Sequence, residues 1–287
     1  MATGEKGKPA KTSSGGRPDL ATLAGLVVAV GGILTGLLME GGKIQDVSQI
    51  TAAIIVLGGT IGAVMVTTPQ SILASAAGRL FSAFVDKAPN PASIIDELIT
   101  YATKARKEGI VSLEQDAEAI QDPFLRKALN LAVDGTDLQQ LRKMMELEIS
   151  LLEQAGEAEA KVYEAAGGYA PTVGIIGAVL GLIQVMKHLA DIDEVGRGIA
   201  VAFVATVYGV GVSNLFFLPI GQKLRGRLHK QVQIRELMLD GVVGIVEGLN
   251  PKLLRTKLEP YAATGAKLKQ KDRPKQQAAA RPVGAES

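Results

Sequence analysis

Polar side chains in two uncharged stretches of the sequence are its first candidates for chemistry. Stretches 165–186 and 198–222 carry no Asp, Glu, Lys or Arg, but their polar residues include Thr172, Gln184, Thr206, Tyr208, Ser213 and Asn214. A hydroxyl such as that of Thr206 can line a hydrated path or hydrogen-bond an ion carrier. Alternatively, it bonds to a backbone carbonyl of its own helix. The hydroxyls therefore indicate either ion handling or local helix bonding, and the sequence leaves both open.

The elements that hold these side chains are four charge-free stretches, each long enough to cross a membrane. They are Leu20–Met39, 47–78, 165–186 and 198–222. A hydrocarbon layer of ~30 Å needs about 20 apolar helical residues. A buried helix of a large soluble domain would show a polar stripe, and none of the four does. The first stretch is not followed by a signal-peptide cleavage site, so we interpret it as a retained membrane helix.

No Asp, Glu, Lys, Arg or His lies inside these stretches, and this absence limits what the protein can do alone. A charge near the bilayer centre costs ~3 kcal/mol or more, so an ionisable group inside a membrane usually signals function. Three interpretations follow. The protein moves no ions, it passes neutral solutes, or a partner supplies the titratable group.

Composition excludes several other classes of protein. The chain of 287 residues has no cysteine, which removes disulfides and cysteine-based metal sites. Its two histidines, His188 and His229, form no metal-binding motif, and we predict no metal and no cofactor. There is no basic patch with interleaved aromatic residues, hence no nucleic-acid partner, and no phosphate loop or nucleophile–base set that would indicate an enzyme.

Charges outside the stretches predict the orientation and the domains of an all-α protein with four transmembrane helices. Connectors 40–46 and 187–197 carry few basic residues, whereas 223–230 is rich in them, which places both termini and the middle loop in the cytoplasm. The predicted regions are a disordered tail (1–18), membrane helices 1 and 2 (19–78), a cytoplasmic helical region (79–164), membrane helices 3 and 4 (165–222), cytoplasmic C-terminal helices (223–261) and a disordered tail (262–287).

Capping signals predict where the helices of the middle loop begin and end. Ser93 with Asp96 reads as a capping box, and Gly109 reads as the end of that helix. Thr136 with Gln139 predicts the start of a long helix that continues without a break into the third membrane stretch. The middle loop is therefore helical throughout most of its length.

Small residues four positions apart occur in all four membrane stretches. Without water to drive helices together, close backbone packing at small residues has to hold a membrane bundle. Such spacing predicts tight protein contacts but names no particular partner. The pairs are Gly32 and Gly36, Gly58 and Gly62, Gly177 and Gly181, and Ala202 and Thr206, with Gly209, Gly211 and Ser213 beyond the last.

Several segments together resemble one protein family. They are "YAPTVGIIGAVLGLIQVM", "GRGIAVAFVATVYGVGVSNLFFLPIGQKL", the loop "ARKEGIVSLEQDAEAIQDPFLRKALNLAVDG" and the tail "RELMLDGVVGIVEGLNPKLLRTKL". This combination is similar to the flagellar motor stator A subunit, the MotA/PomA family within the MotA/TolQ/ExbB proton channel superfamily. The resemblance runs from about residue 19 to residue 261, and the four predicted membrane helices agree with it.

The resemblance implies an ion-driven rotary unit in the bacterial inner membrane. Five A chains would form a homo-oligomer around a dimer of the B-type stator subunit. The single membrane helix of that partner carries an aspartate, and its outer domain binds peptidoglycan. The B subunit would thus supply the titratable group that this chain lacks, and the cytoplasmic loop would push the flagellar rotor protein FliG.

The resemblance also assigns roles to four residues, each of which has an ordinary structural alternative. Pro171 and Pro219 match the family prolines that couple helix motion to the loop, but either can simply mark the end of a helix. Arg106 and Glu114 match the rotor-binding charges, but a cation at a helix C-terminus and an anion in a first turn also favour the helix dipole.

The coupling ion is predicted from one position in the third membrane helix. Family members that run on sodium usually carry a threonine where this chain has Ala178, and a methyl group offers a sodium ion no oxygen ligand. With Thr206 as the main hydroxyl of the ion pathway, we predict proton coupling. Two other functions stay open: a TolQ/ExbB-like energiser, although that type has three membrane segments, and a non-conducting membrane scaffold.

Overall fold

A computed structural model describes residues 17–86 and 89–271 of the chain. Of the predicted tails 1–18 and 262–287, residues 1–16 and 272–287 lie outside the described residues. The chain divides into two compact units, which are residues 1–87 with 155–227 and residues 88–154 with 228–287. The all-α prediction is confirmed. Within the described residues, extended structure is confined to two short antiparallel strands, β1 (Arg17–Pro18) and β2 (Val85–Asp86).

Among the described residues, four helices are long and apolar enough to span a membrane, as the sequence predicts. The first is α1 (Leu20–Met39), which buries none of its residues within the chain. The second, over Ile44–Thr67, consists of a 3₁₀ turn, α2 (Ile50–Ala53), a π-helical stretch (Ile54–Gly58) and α3 (Gly59–Thr67). Pro69 ends this stretch and is followed by α4 (Gln70–Arg79) and a 3₁₀ turn (Leu80–Ala83).

The first helix of the middle loop begins at a cap other than the predicted one. Asn90, not Ser93, caps α5 (Pro91–Glu108), because Pro91 is well suited to the first helical position and the Asn90 side chain accepts from the Ala92 amide. Helix α5 is followed by a 3₁₀ turn (Ile110–Leu113), α6 (Glu114–Ala119) and α7 (Pro123–Val133).

The long helix predicted to enter the third membrane stretch is present as α8 (Leu138–Lys187). Asp137 accepts hydrogen bonds from the Gln139 and Gln140 amides at its start, one residue beyond the predicted Thr136. The fourth membrane helix is α9 (Ile192–Val212), which continues through a π-helical stretch (Ser213–Phe217) into α10 (Leu218–Val246). The last helix, α11 (Pro251–Lys271), extends over 262–271, where we predicted disorder, because Ala, Lys, Leu and Gln are good helix formers.

Each unit has its own apolar core. In the unit of 88–154 and 228–287, α5, α7, the first part of α8, α10 and α11 contribute fully buried side chains, among them Leu98, Leu129, Leu141, Leu237 and Leu254. In the other unit, smaller clusters form around Ala160 and Tyr163, and around Ala52, Val56 and Ala205. The membrane helices therefore pack through small side chains, whereas the other unit packs through leucines.

Candidate functional site

Helices α8 and α9 pack backbone against backbone along a seam of small residues. A Cβ added to Gly209 would lie 2.6 Å from the carbonyl oxygen of Ala170 and 3.0 Å from the Cα of Gly174. A Cβ added to Gly174 would lie 2.9 Å from the carbonyl oxygen of Ala205. Real Cβ atoms do not approach other atoms this closely, so glycine is required on both helices at this level.

The seam continues through two further levels of the antiparallel pair. A Cβ on Gly177 would lie 2.8 Å from that of Ala205, and a Cβ on Gly181 would lie 2.8 Å from both the Ala202 amide nitrogen and the Gly198 carbonyl oxygen. The predicted contact role of Gly177 and Gly181 is therefore confirmed. On α9 the seam uses Gly198, Ala202, Ala205 and Gly209, so Ala202 and Gly209 of the predicted small residues make these contacts, whereas Thr206 is not among them.

Thr206 and Ala178 flank this seam on the same side. Each directly follows a contact residue, Ala205 on α9 and Gly177 on α8. In an antiparallel pair of right-handed helices, the residue after a contact residue turns to the same side on both helices. Pro171 lies two turns before Ala178 and so shares its face, and all three are partly exposed. The fold thus brings three predicted site residues to one side of the pair.

The hydroxyl of Thr206 donates to the carbonyl oxygen of Ala202 at 3.2 Å, which is the local bond that the sequence left open. Other hydroxyls of the third and fourth membrane helices are similarly occupied. Ser213 donates to the Gly167 carbonyl at 2.6 Å, and Thr172 donates to that of Tyr169 at 2.8 Å. Because a hydroxyl oxygen keeps acceptor lone pairs after donating, Thr206 can still accept from a water or a carboxylic acid.

The second membrane helix contributes a buried hydroxyl that the sequence analysis missed. Its buried face consists of Ala52, Val56, Thr60 and Val64, one residue per turn. Thr60 is 0% exposed, and its Oγ1 has no hydrogen-bond partner among the described residues. The regular spacing of four was visible in the sequence, but an apolar stretch gave no reason to separate Thr60 from its neighbours.

Several predicted glycine contacts are absent within the described chain. Nothing lies within 4 Å of a Cβ added to Gly32, Gly36, Gly58 or Gly62, and the second membrane helix instead approaches Val173 through Gly59. These four glycines therefore face no close neighbour within the described residues.

An ionic cluster joins the N-terminus of α1 to the extension of the fourth membrane helix. Asp19 caps α1 by accepting from the Thr22 amide at 3.2 Å, and it pairs with Lys223 and with Arg227. Lys223 also donates to the Thr22 hydroxyl at 2.9 Å. Burial tends to raise the pKa of Asp19, but the bonds from Lys223 and Thr22 and the Lys223 charge outweigh it, so the pKa lies below its usual value.

A second ionic cluster ties α4 to α8 in the same unit. The buried Glu159 accepts from Ser75 and pairs with Arg79 at 3.2 Å, and Tyr163 donates to the Ala76 carbonyl at 2.8 Å. Because a buried carboxylate needs such partners, this contact fixes α4 on α8.

Arg106 and Glu114 lie on either side of one turn, in the unit of 88–154 and 228–287. Arg106 is in the last turn of α5, and Glu114 is the first residue of α6. Both side chains are exposed, and within the described residues neither makes a hydrogen bond or an ion pair. An ion pair of Lys104 with Asp116 at 2.7 Å spans the turn, and Leu113 is fully buried beneath it. A fixed turn therefore presents two unpaired charges of opposite sign.

The two prolines occupy different positions in their helices. Pro171 lies inside α8, where it removes one backbone hydrogen bond. Pro219 lies in the first turn of α10, directly after the π-helical stretch Ser213–Phe217. A proline ring clashes with the carbonyl of the preceding turn, and the wider π turn gives it room.

Comparison with known proteins identifies the family of the chain. Residues 116–237 match the MotA/TolQ/ExbB proton channel family, and residues 23–109 match the N-terminal region of Motility protein A. Motility protein A of Bacillus subtilis is 33% identical over 88% of this chain and 93% of its own length. The chain belongs to the motility protein A family.

Solved structures of motility protein A complexes have the same fold. The C. jejuni MotAB structure matches with a TM-score of 0.81 and 32% identity, covering 85% of this chain and 95% of that chain. The flagellar MotAB stator complex from Bacillus subtilis matches with a TM-score of 0.80 and 32% identity, covering 87% and 98% respectively. The family resemblance stated from the sequence is thus confirmed, and the motility protein A relatives are components of the flagellar motor stator.

Proposed function

We propose that this chain is the A subunit of a flagellar stator, in which five copies surround two copies of a B subunit. The B subunit carries a membrane aspartate and a peptidoglycan-binding domain. Protons that cross the inner membrane through the complex turn the A ring around the anchored B dimer. The ring then drives the rotor protein FliG. Membership of the motility protein A family and the likeness to solved MotAB complexes support this proposal.

One observation carries the ion-conducting part of the proposal. Thr206, Ala178 and Pro171 share one side of a rigid helix pair, yet no membrane stretch of the chain contains Asp, Glu, Lys, Arg or His. The same side exposes apolar side chains, including Ile175 and Phe203. An apolar helix that brings its own carboxylate fits this surface, because its aspartate would face the Thr206 hydroxyl.

The donor set beside that aspartate favours a proton over a sodium ion. A sodium ion that sheds water needs several oxygen ligands, as other hard cations do. On this side Ala178 offers a methyl group instead of an oxygen, and Thr206 supplies a single hydroxyl oxygen. A proton needs only a titratable carboxylate and a wetted route, so proton coupling suits these residues better.

Two features support an orientation of the chain in the membrane. Asp19, at the start of α1, pairs with Lys223 and Arg227 beyond the fourth membrane helix, so both sequences lie at the same membrane face. Basic residues concentrate at that face, which is typical of the cytoplasmic side. We therefore assign both termini and region 79–164 to the cytoplasm.

Torque would pass to the rotor through the exposed charges of the cytoplasmic region. Arg106 and Glu114 are unpaired among the described residues and lie on a turn fixed by Lys104 and Asp116, so FliG can contact them without unfolding anything. Pro171 and Pro219 weaken the backbone bonding of the two pathway helices. When a proton binds to or leaves the B aspartate, the helices would bend at these two prolines.

Reconstitution with the B subunit tests this function. Both subunits are purified together in detergent, and native mass spectrometry counts them; five to two is the expected ratio. Vesicles that contain the complex should conduct protons, whereas those with the B aspartate changed to Asn should not. A stable monomer that ignores the B subunit would overturn the proposal.

A further inference from the structure

An ion pair joins α8 to α10 close to the end of the charge-free membrane stretches, in the unit of 1–87 and 155–227. Nη1 of Arg225 lies 2.9 Å from Oε1 of Glu164, and Nη2 lies 3.0 Å from Oε2. Two parallel bonds between a guanidinium and a carboxylate fix the direction of a contact as well as its distance. The pair therefore holds α8 and α10 in one orientation at this level.

The backbone of α10 packs closely against the Glu164 side chain. A Cβ added to Gly221 would lie 3.0 Å from the Cγ of Glu164 and 3.3 Å from the carbonyl oxygen of Ala160. The Glu164 stem thus lies beneath α10, one turn before Arg225. The two side chains are only 28% and 38% exposed, and charges that are partly buried are screened less than those in open solvent.

The irregular parts of the two pathway helices lie between this ion pair and the glycine seam. On α8, Pro171 lies between Glu164 and the seam. On the other helix, the π-helical stretch 213–217 and Pro219 lie between the seam and Arg225. Long helices bend at prolines and at π-helical turns. The two helices are thus joined at both ends of the span in which they can bend.

The ion pair differs from the apolar contacts that hold the same two helices together further along the chain. In the unit of 88–154 and 228–287, α8 and α10 share an apolar core, but hydrophobic contacts have no preferred direction. The Glu164–Arg225 pair is directional and lies next to the bending span. It is therefore suited to make one helix follow a bend in the other.

We propose that Glu164 and Arg225 form a clamp that makes α8 and α10 bend together, so that a proton step at the B aspartate reaches the cytoplasmic region as torque. Without the clamp, each helix bends at its own proline, and protons still cross while less of the motion is passed on. Both are positioning residues, since neither touches the proton. This inference rests on the proposed stator function and adds the contact that couples the two helices.

A separation of proton conduction from torque tests the clamp. Glu164→Gln and Arg225→Gln each remove the charge of one partner and leave a polar side chain. In vesicles, complexes with either variant should conduct protons like the wild type. In a strain that has this stator alone, the stall torque measured with a bead on the flagellum should be at least halved. Lys161→Gln is the matched control, because it breaks the exposed pair with Glu157 on the same helix and should leave both measurements unchanged.

A reversible covalent link tests whether joining the helices restores the torque. Because the sequence has no cysteine, Glu164→Cys with Arg225→Cys places the only thiols of the chain at these positions. A short bis-methanethiosulfonate connects them, and a reductant removes the connection. Torque should be low in this strain, rise on linking and fall again on reduction, whereas methyl methanethiosulfonate, which cannot connect two thiols, should have no effect. The wild-type stator, treated in the same way, reports any effect of the reagents on the rest of the motor.

Normal torque in both neutral variants would overturn the clamp. So would a loss of proton conduction in proportion to the loss of torque, or a loss of the complex itself, because the pair would then only hold the pathway or the fold together. Torque that stays low after linking would overturn it as well. A wild-type complex that neither conducts protons nor turns the rotor would instead refute the proposed stator function.

Discussion

Gly209 and Gly174 meet backbone to backbone: a Cβ added to either would lie 3.0–3.1 Å from the Cα of the other. In water such an approach would gain little, but in lipid it is the closest packing that two helices can achieve. It holds α8 and α9 in one register. The contact between these two glycines therefore fixes the position of Ala178 relative to Thr206.

Gly209→Ala should weaken the complex, because the new methyl group would lie 2.6 Å from the Ala170 carbonyl oxygen. Overpacking of this kind costs about 1–3 kcal/mol. Thermal unfolding in detergent measures the effect. The matched control is Gly211→Ala, since nothing lies within 4 Å of a Cβ at Gly211. Equal stability of the two variants would contradict the seam.

Thr206→Ala should impair motility whichever ion drives the motor, because it removes the hydroxyl beside the proposed pathway. Thr206→Ser, which keeps the hydroxyl, should retain most of the activity. Swimming speed is measured in a strain that has this stator alone. If the Thr206→Ala strain swims normally, Thr206 has no role in the pathway, and its hydroxyl serves only to bond to the Ala202 carbonyl.

Replacement of sodium by potassium at constant pH should not change the swimming speed of that strain, whereas a protonophore should stop it. Ala178 offers no oxygen ligand for a dehydrated sodium ion. Speed that collapses without sodium but survives the protonophore would refute proton coupling.

Charge reversal at Arg106 or Glu114 should reduce swimming and leave membrane insertion and ring assembly intact, because both side chains are exposed and unpaired among the described residues. Lys104→Glu serves as a contrasting variant: it breaks the ion pair with Asp116 and should also lower the stability of the turn. If both reversals swim normally, singly and together, the rotor-contact assignment is wrong.

Asp19→Asn should destabilise the protein by about 1 kcal/mol at neutral pH, because the amide keeps the N-cap acceptor but removes the charge that pairs with Lys223 and Arg227. The pKa of Asp19 is lower in the folded state than its usual value of 3.8, so its contribution is fully present above that value and is lost as the pH falls through the folded pKa. Unfolding at pH 7 and at pH 3 measures this loss. Asp193→Asn, at an exposed first turn, is the control. A variant as stable as the wild type at pH 7 would mean that the cluster contributes nothing.

Whether a feature of the fold could be predicted from the sequence depends on how far apart in the chain the interacting residues lie. Membrane helices were predictable because the lack of charge over a whole stretch is a property of the stretch itself, and the order of residues alone placed Gly177 and Gly181 on one helix face. Helix starts were less certain, because Asn90 and Asp137 compete with nearby residues of equal capping ability. The family likeness needed no structure, since it rests on the run of residues in both membrane and loop segments.

Tertiary structure decided which small residues meet and which polar groups pair. Glycines four residues apart recur in the membrane stretches, but Gly59 rather than Gly58 or Gly62 contacts Val173, because helix rotation is set by the neighbouring helices. The pairing of Asp19 with Lys223 joins residues far apart in the sequence. Sequence thus determined the membrane helices and the family, since these depend on local composition and order, whereas contacts between distant segments existed only once the helices had packed.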